Sequence, residues 1–430
     1  MKSPYTEKVL PEKVIYRLEQ ILFEILPPLE ETVHNGRPAD LELLQWMRSR
    51  RELGSRDRRF LSQAVFRHFR WMGWTRIALQ QELPEAALLS ALLEEPAESQ
   101  WIQHLAQRIT FPAPLAPLGS QSLDEKIDQI NQTFQSSLSK THLITPNAAS
   151  VIHPNVLAQS LNAFQHRPPT WIRSRIESNE LLDELANENI PAESASQHPQ
   201  AIAIPSGINL QQRINKGPGQ FVVQDLASQC VGHVCAPLAG QLWWDCCAGS
   251  GGKSLHLADL MKQQGGVLAS DPRESALAEL KKRARTCGIR MIQSQILDAT
   301  KEKPGTHLYD GVLVDAPCSG WGTWARSPDA RWRTSTKEVR QSARRQHAIL
   351  KNVAQAVKPG GALVYAVCTL TQPETDEQVA TFLETHSAFE WDPFRHPITG
   401  ELTSGRIQLL PSQHDGMFIA RFRKKNDTVT

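Results

Sequence analysis

The chain has 430 residues, and its 47 Lys+Arg against 45 Asp+Glu leave a formal net charge of +2. That near-balance excludes a histone-like polycation, although a local basic face is enough to hold nucleic acid. A hydrophobic fraction of 40% with 28 prolines can build a sizeable core, which excludes wholesale disorder, and seven cysteines in a chain this long do not read as a disulfide scaffold.

At the start, MKSPYTEKVLPEKVIYRLEQ lacks the apolar core of a secretory signal. No run reaches the roughly 20 apolar residues of a membrane helix. The expectation is a cytoplasmic monomer with reduced thiols and no membrane partner. Residues 7–105 read as helical, and 1–105 as an all-helical domain: Val14, Leu18, Ile21, Leu22 and Ile25 recur at helical spacing, as do Leu61, Val65, Phe66 and Phe69. Nine arginines fall between Arg48 and Arg76, interleaved with Trp46, Phe60, Phe69, Trp71 and Trp74. Arginine offers a planar fork for phosphate and stacks on bases, so this stretch reads as a phosphate-contacting surface, with a solvated helix face as the plain alternative.

Residues 106–150, with FPAPLAPLGSQS, read as an extended linker. Residues 151–205 read as a small α+β segment, with strands at Trp171–Ile176 and Ala201–Ile204 around a helix at Glu180–Asn189. From 206 to 430 strands and helices alternate. Strands are predicted at Leu242–Cys247, GVLASD, IRMIQS, DGVLVDAP, ALVYAVCT and GMFIARFRKK. Helices are predicted between them, including Lys337–Val357, stopped by Pro359-Gly360-Gly361, and Pro373–Thr385. Such alternation predicts a mostly parallel, doubly wound α/β sheet, with ligands outside the carboxyl ends of its strands.

WWDCCAGSGGKS (Trp243–Ser254) reads as strand, glycine turn and helix. A phosphate-cradling P-loop would need glycine where Cys247 stands, although Gly252-Lys253-Ser254 fits, and Asp315 imitates a magnesium-binding acid. A dinucleotide loop fails at Ser254. S-adenosylmethionine needs close backbone approach and an acid at the next strand end for the ribose. Asp271 stands there, and Asp298 is placed for the adenine amino group. No metal site is expected, because no C-x₂-C pair exists.

Cys318 in DAPCSG and Cys368 in YAVCTLTQPE each follow a buried strand, while the other five cysteines read as packing. A thiolate has work to do if the substrate is cytosine. Addition to carbon 6 makes carbon 5 nucleophilic enough to take a methyl group, with an acid such as Asp315 holding the base edge. Arg326, Arg331 and Arg333, with Trp321, Trp324 and Trp332, read as RNA contacts beside Cys318, next to Lys337, Arg340, Arg344 and Arg345.

DCCAGSGGK, DAPCSGWGTWARSPDARWR, KPGGALVYAVCTLTQPETDEQV and LLPSQHDGMFIARFRKK strongly resemble the RNA cytosine carbon-5 methyltransferases of the Nop/Sun type, over about Trp171 to Lys425. GQFVVQDLASQ resembles the opening of their catalytic domain, and LGSRDRRFLSQAVFRHFR resembles a NusB-like RNA-binding domain, as in the bacterial small-subunit ribosomal RNA methyltransferase B group. The resemblance implies a Rossmann-like methyltransferase domain preceded by an all-helical NusB-like domain, S-adenosylmethionine as cofactor, and 5-methylcytosine formation in small-subunit ribosomal RNA. It implies Cys368 as nucleophile and Cys318 in product release, the swapped roles being the competitor from DNA enzymes. It implies donor contacts from Cys247, Ala248, Gly249, Ser250, Gly251, Gly252, Lys253, Asp271, Asp298 and Asp315. Two departures stand out: Gly249-Ser250 replaces the usual Ala-Pro, and Val367 replaces Thr before Cys368. Transfer RNA as substrate, a P-loop nucleotidase and a non-catalytic RNA-binding assembly factor are the other readings.

Overall fold

The computed structural model describes residues 10–96, 98–210, 213–214 and 219–426. The parts of the helical reading that fall on residues 7–9 and 97 lie outside them. Two units emerge. One joins residues 1–167 to 323–336; the other joins 168–322 to 337–430.

The first unit is helical. Its longest helix, Glu12–His34, buries Leu18, Leu22, Ile25, Leu26, Leu29 and Val33 along one stripe. That stripe packs with Leu61, Ala64, Val65 and Phe69 of the helix Ser55–Met72 and with Ala87, Leu88, Ala91 and Leu92 of the helix Leu83–Leu92. The residues read as a linker are partly structured. The Pro-rich stretch is irregular, but Leu123–Phe134 is a helix whose start is fixed by a reciprocal Ser122–Glu125 capping box. Pro154–Ala163 is also a helix of this unit.

Three of the aromatic residues among the arginines are core, because Phe69, Trp71 and Trp74 are buried, while Trp46 and Phe60 are half-buried. So are Arg67 and Arg70, which pair with Glu95 and Glu94. Burial pulls the Arg67 guanidinium down to about 10. Only Arg48, Arg51, Arg56 and Arg59 of the nine are exposed.

The segment Thr323–Thr336 corrects a second expectation. Arg331 is wholly buried, and its guanidinium donates to the carbonyls of Arg70, Leu143, Phe164 and Trp324 and to Gln165. Trp324 is buried, Trp332 Nε1 donates to Phe69 O at 2.7 Å, and Arg333 pairs with Asp329, whose carboxylate also accepts from Ala39 N. Trp321, in the second unit, is buried as well. Arg331, Arg333 and these tryptophans are therefore packing and capping groups rather than an RNA-facing loop.

The second unit holds two sheets. Strands β1 (Thr170–Ser174), β2 (Glu193–Ala195), β3 (His198–Ile204) and β4 (Phe221–Val223) form an antiparallel sheet in the order β2-β3-β1-β4, so the small α+β part runs past 205. The second sheet has β5 (Leu242–Asp245), β6 (Gly266–Asp271), β7 (Ile292–Ile296), β8 (Tyr309–Asp315), β9 (Val357–Val367), β10 (Phe389–Trp391), β11 (Arg406–Leu409) and β12 (Met417–Lys424). Its order is β10-β12-β9-β8-β5-β6-β7, with β11 on β12. Strands β5 to β9 are parallel, and β12 enters antiparallel. The chain leaves β5 toward β6 and β7, then returns to β8 on the other side. This reversal is the switch point at which an α/β sheet opens a ligand crevice. The long helix ends at Val353, ahead of the expected stop, because Pro359-Gly360-Gly361 forms the irregular start of β9 instead.

Candidate active site

A cleft of about 780 Å³ opens at the β5/β8 switch point. Ten of the predicted residues are concerned with it or its floor. Cys247, Ala248, Gly249, Ser250, Gly252, Lys253, Asp271, Asp298 and Asp315 line it, and Gly251 caps the helix that the loop leads into. Gly251 adopts φ +85°, and a Cβ there would meet Leu280 Cγ at 2.5 Å, so only glycine lets the turn lie this close to the helix Glu274–Thr286.

Asp271 closes β6. Its carboxylate accepts from Gly249 N at 3.0 Å and takes a fork from Arg273 Nε and Nη2 at 2.9 and 3.0 Å. Burial alone would raise this carboxyl, but the Arg273 and Gly249 hydrogen bonds hold it below its ordinary value. Asp298 lies just past β7 and uses Oδ1 to accept from Thr300 N and Oγ1 at 3.0 and 2.7 Å, which lowers it.

Lys253 Nζ donates to Asp315 Oδ2 at 2.7 Å. Burial works against the ammonium, but Asp315, with Cys368 and Asp245 nearby, keeps it above its ordinary value. Ser254 is buried, and its hydroxyl donates to Asp245 Oδ2 at 2.6 Å. A P-loop serine would need that hydroxyl free for magnesium. Burial pushes the Asp245 carboxyl up to about 7.

The two singled-out thiols come together. Cys318 Sγ and Cys368 Sγ lie 3.3 Å apart at the ends of β8 and β9. The contact with Cys368, then burial, then the charges of Cys368 and Glu374 push the Cys318 thiol well above its ordinary range. Gly322 N donates to Cys368 O at 3.0 Å, and a Cβ on Gly322 would meet that oxygen at 2.9 Å and Gly416 O at 2.3 Å. Cys230, Cys235 and Cys246 are buried, in keeping with packing. Among the described residues no cluster fit for a metal occurs, and no helix is long and apolar enough to cross a membrane.

Sequence reasoning did not single out Arg273, Arg283 and Asp245. The first two line the cleft from the helix region after β6, and nothing in their spacing sets them apart from other basic residues. Asp245 was readable as an acid ending β5, by the same rule that selected Asp271.

Residues 233–423 match the family model described as "16S rRNA methyltransferase RsmB/F". The match covers somewhat less than half of the chain. A Synechocystis protein described as "Probable ribosomal RNA small subunit methyltransferase B" is 35% identical over 254 residues, 57% of this chain and 57% of the relative. A Bacillus subtilis protein of the same description is 34% identical with the same coverage, so the chain spans little more than half the length of these relatives. The mouse "tRNA (cytosine(72)-C(5))-methyltransferase NSUN6" is 36% identical over 43% of this chain and 41% of its own. Among solved structures, PH0851 is similar with a TM-score of 0.72 at 21% identity, covering 97% of this chain and all of that one. NSun6 from Pyrococcus horikoshii with SFG gives 0.55 at 18% identity over 65% of this chain and 96% of its own. At these identities the two structures speak for the fold: a Rossmann-like α/β domain in the RsmB/F region.

Proposed function

We propose that this protein is an S-adenosylmethionine-dependent methyltransferase that makes 5-methylcytosine in small-subunit ribosomal RNA. The observation that carries the reading is the Cys318–Cys368 pair, 3.3 Å apart, just past the ends of β8 and β9, with Asp315 of the Lys253–Asp315 ion pair closing β8 beside a glycine-lined cleft. The cleft fits the donor: its glycine turn leaves no side chain where the backbone approaches, and Asp271 offers a carboxylate at the strand end for ribose hydroxyls. Gly249–Lys253 and Asp271 would hold the donor, Asp298 would face its adenine, and the bound donor supplies an electrophilic methyl group.

Cys368 is the nucleophile in this reading. Its thiolate forms a bond to cytosine carbon 6, the ring electrons move to carbon 5, and carbon 5 takes the methyl group. Asp315, fixed by Lys253, holds the edge of a base that has left its stack. A base then takes the carbon-5 proton, and the carbon–sulfur bond breaks to return the thiolate, with Cys318 serving release. The helical unit is assigned as a NusB-like RNA-binding domain, its exposed Arg48, Arg51, Arg56 and Arg59 meeting phosphates.

Radiolabelled methyl transfer to ribosomal RNA tests the assignment. Cys368→Ala should lose transfer while keeping donor binding, and Cys318→Ala should trap a denaturation-resistant protein–RNA adduct. Turnover by Cys368→Ala, with its loss and no adduct in Cys318→Ala, would invert the two roles. The similarity to a mouse transfer-RNA enzyme supports transfer RNA as the second substrate. Bisulfite sequencing of both RNA classes, with and without the gene, separates them.

A further inference from the structure

Glu374 is wholly buried in the turn Gln372–Glu374 and lines no part of the cleft. Its carboxylate reaches both thiol loops. On the Cys318 side it accepts from Ser319 N at 2.9 Å and Ser319 Oγ at 2.5 Å. On the Cys368 side it accepts from Thr371 Oγ1 at 2.7 Å and Thr369 Oγ1 at 3.2 Å. Ser319 and Thr369 are the residues directly after the two cysteines, and their hydroxyls lie 2.9 Å apart.

A third element braces the same group. Gln346, buried on the helix Thr336–Val353, gives one N–H to Glu374 Oε1 at 2.9 Å and the other to Pro317 O at 3.0 Å. The Tyr365 hydroxyl, buried on β9, lies within hydrogen-bonding distance of Gln346 Oε1 and Glu374 O. All these donors are neutral. A buried carboxylate is costly unless hydrogen bonds compensate, and a site with this many donors is built to keep one in place.

We propose that Glu374 is a positioning residue that clamps the loops carrying Cys318 and Cys368 and so fixes the separation and roles of the two thiols. This rests on the reading of Cys368 as nucleophile, but the clamp itself is tested without RNA. Glu374 sits behind Cys318 as a negative charge and disfavours its thiolate. The Cys368 contact and burial, which weigh more, act in the same direction, so Cys318 stays the protonated partner, able to donate to the Cys368 sulfur.

Glu374→Gln tests the clamp. The amide keeps one acceptor oxygen, and the serine and threonine hydroxyls can turn to accept from its N–H groups. The readout is alkylation of each cysteine as a function of pH, resolved by mass spectrometry. At a fixed pH below its titration, Cys318 should alkylate about tenfold faster in the variant, the change expected when one nearby like charge is removed. A folded Glu374→Gln protein with the parental Cys318 profile overturns the proposal. If the variant does not fold, Ser319→Ala decides. With one anchor gone, hydrogen exchange of the amides of 318–320 and 369–371 should speed at least about tenfold, and parental exchange there overturns the clamp. Failure of the parent to methylate any RNA would sink the proposed function, while the alkylation and exchange results would still decide the clamp.

Discussion

Arg331 separates two accounts of the WARSPDARWR stretch. As an RNA contact, its loss would weaken binding and leave the fold alone. As the buried brace seen here, its loss should unfold the helical unit. The guanidinium reaches four backbone carbonyls and the Gln165 amide oxygen, with no carboxylate in contact. Burial, with Arg70 nearby, holds its pKa well below the arginine range, and the charge of Glu94 works against that fall. Arg331→Ala strips the donor from all five oxygens and leaves a void. An orphaned buried acceptor costs about 1–3 kcal/mol. Some of these carbonyls also serve helical bonds, and the desolvation cost of the guanidinium disappears with it. The net expectation is therefore a loss of at least about 1–3 kcal/mol, the cost of one orphaned buried acceptor. Arg331→Met fills the volume and should fall between the alanine variant and the parent. The assay is urea denaturation read by hydrogen exchange of the amides of Ser55–Met72, which isolates the unit concerned. Arg56→Ala, at an exposed site, is the control and should stay within about 0.5 kcal/mol. An Arg331→Ala protein of parental stability with weakened RNA affinity would refute the brace and restore the RNA contact.

Asp245→Asn should change the pH dependence of stability. The folded carboxyl keeps its proton up to about 7, whereas the unfolded one loses it near its ordinary value, so the parent loses stability from this group as pH rises between the two. The variant should therefore gain on the parent across about pH 4 to 7, and a stability difference that stays flat over that window counts against the burial argument. Asp271→Asn should weaken S-adenosylhomocysteine binding by roughly 1.5–3 kcal/mol in calorimetry, the scale of hydrogen bonds to a charged group, and unchanged affinity would remove Asp271 from the donor site. Replacing Arg56 by alanine should flatten the salt dependence of RNA binding by about 0.7 in the slope of log K against log salt, if Arg56 meets a single-stranded phosphate. An unaltered slope assigns it to the solvated face.

The sheet was legible because each strand is bounded by its own punctuation. GVLASD and DGVLVDAP are apolar runs that end in an acid, and both become strands ending at that acid. Helical spacing at Leu18, Leu22 and Ile25 likewise marked a real buried stripe. Charge misled where burial decided. Arg67, Arg70 and Arg331 look like surface residues by type, and only contacts from distant parts of the chain, Glu95, Glu94 and the carbonyl of Phe164, make them interior. The helix Leu123–Phe134 carries a Ser122-x-x-Glu125 capping spacing, which the linker reading, made on the prolines just before it, did not use. The pairing of the thiols followed from both strands ending on the same side of a parallel sheet. Glu374 did not follow, because its partners lie on three separate segments.

The departure at Gly249-Ser250 shows how a motif can change while its geometry is retained by other means. A proline at 250 would fix φ and remove an N–H, stiffening the loop covalently. This chain has Gly249 at φ +52°, a left-handed conformation that would cost an alanine there roughly 1–2 kcal/mol, so the usual Ala-Pro pair would be strained in the loop as it stands. The stiffness comes from the next helix. Arg283 Nη1 donates to Ser250 O at 2.9 Å and Ser250 Oγ at 3.2 Å, and Leu280 presses under Gly251. Asp271 takes Gly249 N from the other side. The Arg283 hydrogen bonds thus stand in for the proline ring, and the serine hydroxyl that departs from the motif supplies the second of them. Because these Arg283 hydrogen bonds are exposed where a proline ring is covalent, the loop keeps its shape through contacts that solvent and salt can weaken.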